Sequence, residues 1–467
     1  MKRILFFCII YCLAIVCSAQ NVYITGSSKE IKGKTVKLYS IPDGVSGLEK
    51  EEQIVKLSDE DTSFSFAITL SGEKQVLMKI DLMRYSFVAK PGTKYHLNIK
   101  EFNFSQDDSL FGYAYGLALP AELTMERFDG INLPMNDVDN YINAFLYDSH
   151  RLLFVKDKQT LDTFYYLRDS LIDAYKDNEY ILNYIKYEFA SIDYGLNLKS
   201  RRAMKDSLFA HQPILYDNIG YMDCFQNVFS KYFSKGYKYI KRSDIEQWLV
   251  SNNYNAFNDA LGRDRVLENE VFRELVFLQG MKDAYLDGYF NRDLVKNMLE
   301  KFSNTTKFAQ HKEIAENLIL SLSNINAENT DIKDLKVKDV DGNIRSLNEY
   351  ITGKPLIVSF VRLDQELSLK ELEAIHFCYD SIKDNCNVLT ICCSNSYERM
   401  FNFIKNNKVG NKYKWDFVYF DNNYDVVEAF HVRTFPTFVL VGKDGKIEKN
   451  PMNSPTSGAF LTFKTKK

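Results

Sequence analysis

Val432-Arg433-Thr434-Phe435-Pro436-Thr437-Phe438-Val439-Leu440-Val441-Gly442-Lys443-Asp444-Gly445-Lys446-Ile447 joins a proline turn, an apolar strand and a glycine-containing reversal. The run Thr437 to Val441, turned back at Gly442-Lys443-Asp444, predicts a β-hairpin. Upstream, Gly353-Lys354-Pro355-Leu356-Ile357-Val358-Ser359-Phe360 ends in an apolar run fit for a central strand buried on both faces. Glu366 to Ile382 and 397–407 read as helices, with a second buried strand at Val388-Leu389-Thr390-Ile391-Cys392-Cys393 between them. Leu335-Lys336-Val337 runs into a turn at Asp341-Gly342-Asn343. Strands alternating with helices and closed by an antiparallel edge predict an α/β domain over 327–467.

These stretches together resemble the thioredoxin-like domain of exported proteins of the ResA/TlpA-like group, in their Bacteroidetes-type form. Gly353 to Phe360 is similar to the strand that leads into the active site. Val432 to Ile447 is similar to the proline loop and final hairpin. Asp339-Val340-Asp341-Gly342-Asn343 with Leu347 resembles the extra N-terminal hairpin of that group. The resemblance runs from about Leu335 to Phe460. It implies a cis bond before Pro436 and a backbone at Thr434 and Phe435 that pairs with an extended substrate chain.

It also implies a Trp-Cys-x-x-Cys motif a few residues beyond Phe360. The four positions fall on Gln365-Glu366-Leu367-Ser368, and neither end is cysteine. Thiol–disulfide exchange needs a thiolate at the first position and a resolving thiol at the last. Gln365 cannot ionise to a nucleophile. The Ser368 hydroxyl is far too weak an acid to replace a thiol without a base. No catalytic residue is therefore assigned. Asp364 is expected as the N-cap of the following helix and Glu366 as its first-turn acid, both favoured by the helix field; the other reading makes these acids a docking patch. Strand-type docking of a peptide needs no thiol. A groove lined by Phe360, Leu363, Thr434, Phe435 and Pro436 is the candidate binding site; the alternative is that Pro436 only preserves the fold.

The leading expectation is thus an exported thioredoxin-fold protein that acts as a non-redox interaction or peptide-binding module. The alternative is a thiol-disulfide oxidoreductase or antioxidant enzyme using a displaced cysteine. Cys224, Cys378, Cys386, Cys392 and Cys393 remain once the first residues are set aside. No two have C-x-x-C spacing, so neither a zinc site nor a disulfide framework is indicated. Buried single thiols are expected. A Cys378–Cys386 bridge and a strained Cys392–Cys393 bridge are the other possibilities.

The chain opens with Lys2 and Arg3, an uncharged apolar run from Ile4 to Val16, and Cys17-Ser18-Ala19. This predicts a signal peptide over 1–19 and export to the periplasm or cell envelope. Cys17 as a lipid attachment point is the rival, and the only expected route to the membrane. The whole chain has 467 residues and a formal net charge of -3, which gives no case for nucleic-acid binding. The partner expected is a protein or extended peptide. No cofactor and no metal is expected, since the histidines do not pair at ligand spacing and Asp421, Asn423 and Asp425 lack the glycine of a calcium loop.

Two other zones are expected. Short strands such as Val22 to Ile24, Thr35 to Tyr39, Phe64 to Ile68, Val76 to Ile80 and Tyr95 to Ile99 predict an antiparallel β-sandwich over 20–110. Phe87-Val88-Ala89-Lys90-Pro91-Gly92, with the strand after it, resembles the β-rich domain that precedes thioredoxin domains in this group. Apolar residues at helical spacing, as in Leu294, Met298, Leu299 and Phe302, predict seven to nine helices over 111–326, with Asn291 as one N-cap. The 30 Tyr and 34 Phe are expected to fill bulky helical cores, a carbohydrate or peptide surface being the alternative.

Overall fold

The computed structural model describes residues 20–463 apart from 82, 102–116, 234–239, 289, 325–326, 328–329, 395, 409–411, 433, 459 and 461–462. The predicted signal segment, with Cys17, and Arg433 of the proline loop lie outside the described residues.

The first zone is a two-sheet sandwich built from β1 (Gln20–Ser27), β2 (Thr35–Ile41), β3 (Lys50–Lys56), β4 (Ser63–Leu70), β5 (Lys74–Ile80), β6 (Met83–Ala89), β7 (Lys94–Ile99), β8 (Leu117–Ala118) and β9 (Ala121–Met125). The sheets run β4-β1-β7-β9 and β3-β2-β5-β6-β8. Strict alternation drives the packing. Phe64, Phe66 and Ile68 of β4 are buried while Ser63, Ser65 and Ala67 are exposed. Two expectations are corrected. β1 pairs parallel with β7 and β6 parallel with β8, so the sandwich is mixed rather than antiparallel. The sheets also extend past residue 110, because β8 and β9 add an edge strand to each.

The helical zone begins at Asn132, where Asp129 accepts the N–H groups of Ile131 and Asn132 and the hydroxyl of Tyr95. The Asn132 side chain pairs with both backbone groups of Val88 on β6. These buried bonds fix the first helix on the sandwich. The described helices are α1 (Asn132–Phe154), α2 (Lys158–Ala174), α3 (Glu179–Gly195), α4 (Arg201–Met204), α5 (Ile219–Phe229), α6 (Arg242–Val250), α7 (Tyr254–Leu261), α8 (Glu270–Leu286), α9 (Arg292–Ser303) and α10 (Ala309–Asn324). They exceed the expected seven to nine because short segments such as α4 and α7 carry too few residues to show a period. Asn291 caps α9 by accepting the N–H groups of Asp293 and Leu294. Gly220 lets α5 cross close to α3: a Cβ there would lie 3.1 Å from the Tyr184 carbonyl oxygen, a tight contact.

The aromatic residues do fill this core. Phe209, Phe225, Phe229 and Phe272 meet at 5.1–6.1 Å, mostly edge to face. Inside it lies a hydrogen-bonded polar cluster. His311 Nδ1 is 2.9 Å from Glu274 Oε2, and its Nε2 is 2.8 Å from the Tyr216 hydroxyl. Thr306 and Tyr254 donate to the two Glu274 oxygens at 2.6 and 3.3 Å.

The last zone holds one seven-stranded sheet in the order β11-β10-β14-β13-β12-β15-β16. Its strands are β10 (Lys336–Lys338), β11 (Ile344–Ser346), β12 (Leu356–Val361), β13 (Asn387–Cys392), β14 (Asp416–Tyr419), β15 (Thr437–Val441) and β16 (Ile447–Lys449). Its helices are α11 (Glu366–Ile382), α12 (Tyr397–Lys408) and α13 (Tyr424–Ala429). β12 is buried at every position, between parallel β13 and antiparallel β15. This is a thioredoxin-like α/β sheet with an added β10–β11 hairpin.

The zones touch. Asn317, Gln226 and Lys282 of the helices hold the sandwich loop at Asp43, Gly44 and Val45. Lys37 of β2 reaches Asp425 at 2.9 Å and Glu428 at 2.7 Å on α13. No helix among the described residues is long and apolar enough to cross a membrane.

Candidate functional site

The candidate site lies at the carboxyl end of β12. Pairing of Phe360 with Thr437 brings the proline loop, which precedes β15, beside the turn that leaves β12. The Phe435–Pro436 peptide bond is cis. Thr434 is exposed, Phe435 and Pro436 are half-buried, and Thr437 donates to the Thr434 carbonyl at 2.5 Å.

The rest of the expected groove does not form as predicted. Phe360 is fully buried, with its ring 4.9 Å from that of Phe430. Leu363 is only 7% exposed. Both faces of β12 are covered, so alternation along this strand selects no open face. The accessible part of the predicted binding set is therefore Thr434, Phe435 and Pro436.

The helix start also differs from expectation. Gln365, not Asp364, is the N-cap residue of α11, and its side chain makes no capping bond. Asp364 is drawn away by Arg362, whose guanidinium donates to it through two nitrogens at 3.0 and 2.5 Å. Hydrogen bonding from Arg362 holds the Asp364 carboxyl below its usual range. Such a bidentate pair is stronger than a neutral bond. The guanidinium is only 4% exposed. The sequence reading passed over Arg362; a cation set two residues from an acid at the end of a buried strand is the signal that marks it.

The four degenerate positions serve different ends. Ser368 is buried, and its hydroxyl accepts the Arg362 N–H at 3.3 Å. Ser394 likewise accepts the Leu363 N–H at 3.2 Å. Together the two hydroxyls satisfy backbone donors of the strand-to-helix turn, which would otherwise be orphaned. Glu366 is exposed and pairs with Lys370 one turn on. Leu367 is exposed.

All five described cysteines are free thiols, so neither considered bridge is formed. Cys392 and Cys393 stand at the site's end of the sheet but are fully buried, and burial raises both thiol pKa values well above the ordinary range. Burial pushes Cys386 up to about 12 and Cys224 up to about 11. Cys386 precedes β13, at the opposite end of the sheet. Cys378 is half-buried on α11 and donates to the Ala374 carbonyl at 3.0 Å. A raised pKa removes the thiolate that exchange requires. No cluster of metal-ligating side chains occurs among the described residues.

The fold and this end of the sheet define a thioredoxin-like domain. Residues 329–450 match the AhpC/TSA family model. Solved structures similar to this part include the thioredoxin domain of a thiol-disulfide oxidoreductase from Bacteroides vulgatus, at 23% identity and a TM-score of 0.26 over 30% of this chain and 98% of that one. A thiol:disulfide interchange protein from a Bacteroides species is similar at 24% identity, TM-score 0.25, over 29% and 91%. The exposed lipoprotein thioredoxin Etrx1 of Streptococcus pneumoniae is similar at 23%, TM-score 0.24, over 28% and 97%. No curated protein matches the chain.

Proposed function

We propose that the C-terminal domain is a thioredoxin-fold module with a degenerate active site, which binds protein or extended peptide in the cell envelope and carries out no thiol–disulfide exchange. The observation that carries this reading is the use of Ser368. Its hydroxyl holds the backbone of the turn at Arg362, so the resolving position has a structural task. Gln365 at the other end offers no ionisable group. The cis-proline loop, with Thr434 exposed and Phe435 half-buried, supplies the backbone that a peptide strand would pair with. The apolar run at Ile4 to Val16 motivates the envelope location.

Insulin-disulfide reduction tests it. The wild-type chain should show no turnover, and the double variant Gln365→Cys/Ser368→Cys should gain it. Turnover by the wild type at the rate of an intact relative would sink the reading.

A second reading, an oxidoreductase with a displaced cysteine, is favoured by one observation: Cys378 is the least buried of the thiols in a domain that matches the AhpC/TSA model. It requires any wild-type activity to vanish in Cys378→Ser.

A further inference from the structure

The outer face of α1 carries more apolar surface than a helix turned to water needs. Val138, Ile142 and Leu153 bury its inner face. On the other side Leu133 is 44% exposed, Tyr141 59%, Tyr147 83% and Val155, the C-cap residue, 70%. Asp137, Asn140, Ala144, Asp148 and Arg151 are exposed between them. At about 100° per residue, Leu133, Asp137, Ala144, Arg151 and Val155 fall within about 20° of one line along the helix.

That line reads alike from both ends. Leu133 and Val155 stand equally far from Ala144, as do Asp137 and Arg151. Laid antiparallel on a copy of itself, with Ala144 on the two-fold axis, the helix sets apolar against apolar and acid against base. A two-fold interface makes every contact twice, and a pattern of this kind satisfies both copies of each. The small Ala144 side chain lets the two helices approach at the centre. Asp137 accepts the Tyr175 hydroxyl at 3.2 Å. Neither Asp137 nor Arg151 makes an ion pair among the described residues, so both charges are open to a partner.

We propose that the chain forms a two-fold homodimer through the outer face of α1, with Leu133 against the partner's Val155 and Asp137 paired with the partner's Arg151. Beside the axis, Tyr141 comes next to the partner's Asp148 and Tyr147 next to the partner's Asn140. A membrane surface would call for an excess of cations on the face, and here Asp137 and Asp148 outnumber Arg151. A different protein would not require the face to read alike in both directions. A strip one helix wide along α1 offers roughly 400 Å² per copy, about half of a standard interface, so the dimer is a weak one that grows with concentration. The face is separate from the proline loop, so the dimer stands or falls apart from the peptide-binding reading.

Sedimentation velocity of the full chain from about 1 to about 200 µM tests it. The weight-average mass should rise from that of one copy toward that of two. Arg151→Glu sets carboxylate against carboxylate at both ends of the contact and should raise the dimer Kd by about tenfold or more, and Asp137→Arg should do the same with two cations. The exchanged variant Asp137→Arg/Arg151→Glu should return the Kd to the wild-type value, since each new charge again meets its opposite. All three variants change exposed side chains, and their circular dichroism should match the wild type. The mass of one copy at every concentration, a dimer unaffected by Arg151→Glu, or an exchanged variant no better than the single ones would each overturn the proposal.

Discussion

Two buried polar pairs among the described residues do different work. Glu274 and His311 lie deep in the helical core, where Tyr216, Tyr254 and Thr306 complete their hydrogen bonds. Arg362 and Asp364 lie at the end of β12, with the guanidinium buried and Asp364 still 22% exposed. The first pair is closed on every side and joins α8 to α10 across 37 residues of sequence. The second spans two residues and shapes one turn. A buried hydrogen-bonded pair that bridges distant helices constrains the packing of a whole domain. A charge that answers its near neighbour constrains a loop, and here the loop is where chemistry would be expected.

The largest test of this contrast is His311→Ala. It removes a fully buried ring, leaving a cavity and depriving Glu274 and Tyr216 of a hydrogen-bond partner, and should cost about 3–5 kcal/mol in urea unfolding. A loss under about 1 kcal/mol would remove the distinction, because the closed pair would then matter no more than the open one. Arg362→Met should cost less, about 1–2 kcal/mol, since Asp364 can turn to water. Its circular dichroism should stay native, with the change confined to the turn.

The third test uses an acid that meets only like charge. Glu188 is pushed up to about 7, first by burial and then by Asp223 and Asp139. Its folded pKa lies above its unfolded value, so the folded chain keeps the proton longer. The stability this adds is full below the unfolded pKa of 4.5 and is lost as pH rises through about 7. Glu188→Gln should therefore match the wild type near pH 4 and exceed it by about 1–2 kcal/mol near pH 8, after allowance for partial exposure. An equal gain at both pH values would show that the carboxyl titrates normally.

The C-terminal fold was legible because its signals are local. Gly353 to Phe360 and Val432 to Ile447 each contain their own strand and turn, and both stretches form the elements expected of them. β3 was missed because Lys50-Glu51-Glu52-Gln53 is a charged run, which an edge strand tolerates when one side faces water. β8 and β9 were missed because they pair with strands already counted, and pairing leaves no mark on spacing. The site was half legible. The absent thiols can be read directly, but the burial of Phe360 and Leu363 depends on what covers both faces of β12. The cap assignment failed for a related reason: Asp364 suits a cap by type, yet a guanidinium two residues away binds it more strongly than the free N–H groups do. The Glu274–His311 pair had no sequence signal, since only the packing of α8 on α10 makes them neighbours.

The bond from Lys37 to Glu428 spans 391 positions of sequence. During synthesis Lys37 leaves the ribosome long before its partner exists, so the sandwich must stand with that ammonium in water until the last domain is made. Closure of so long a loop costs only slightly more entropy than closure of a short one. The order of events is thus set by the time of translation and not by the strength of the bond. The junction becomes a late seal that only a chain complete through α13 can form, and a chain that ends before α13 leaves Lys37 open to solvent.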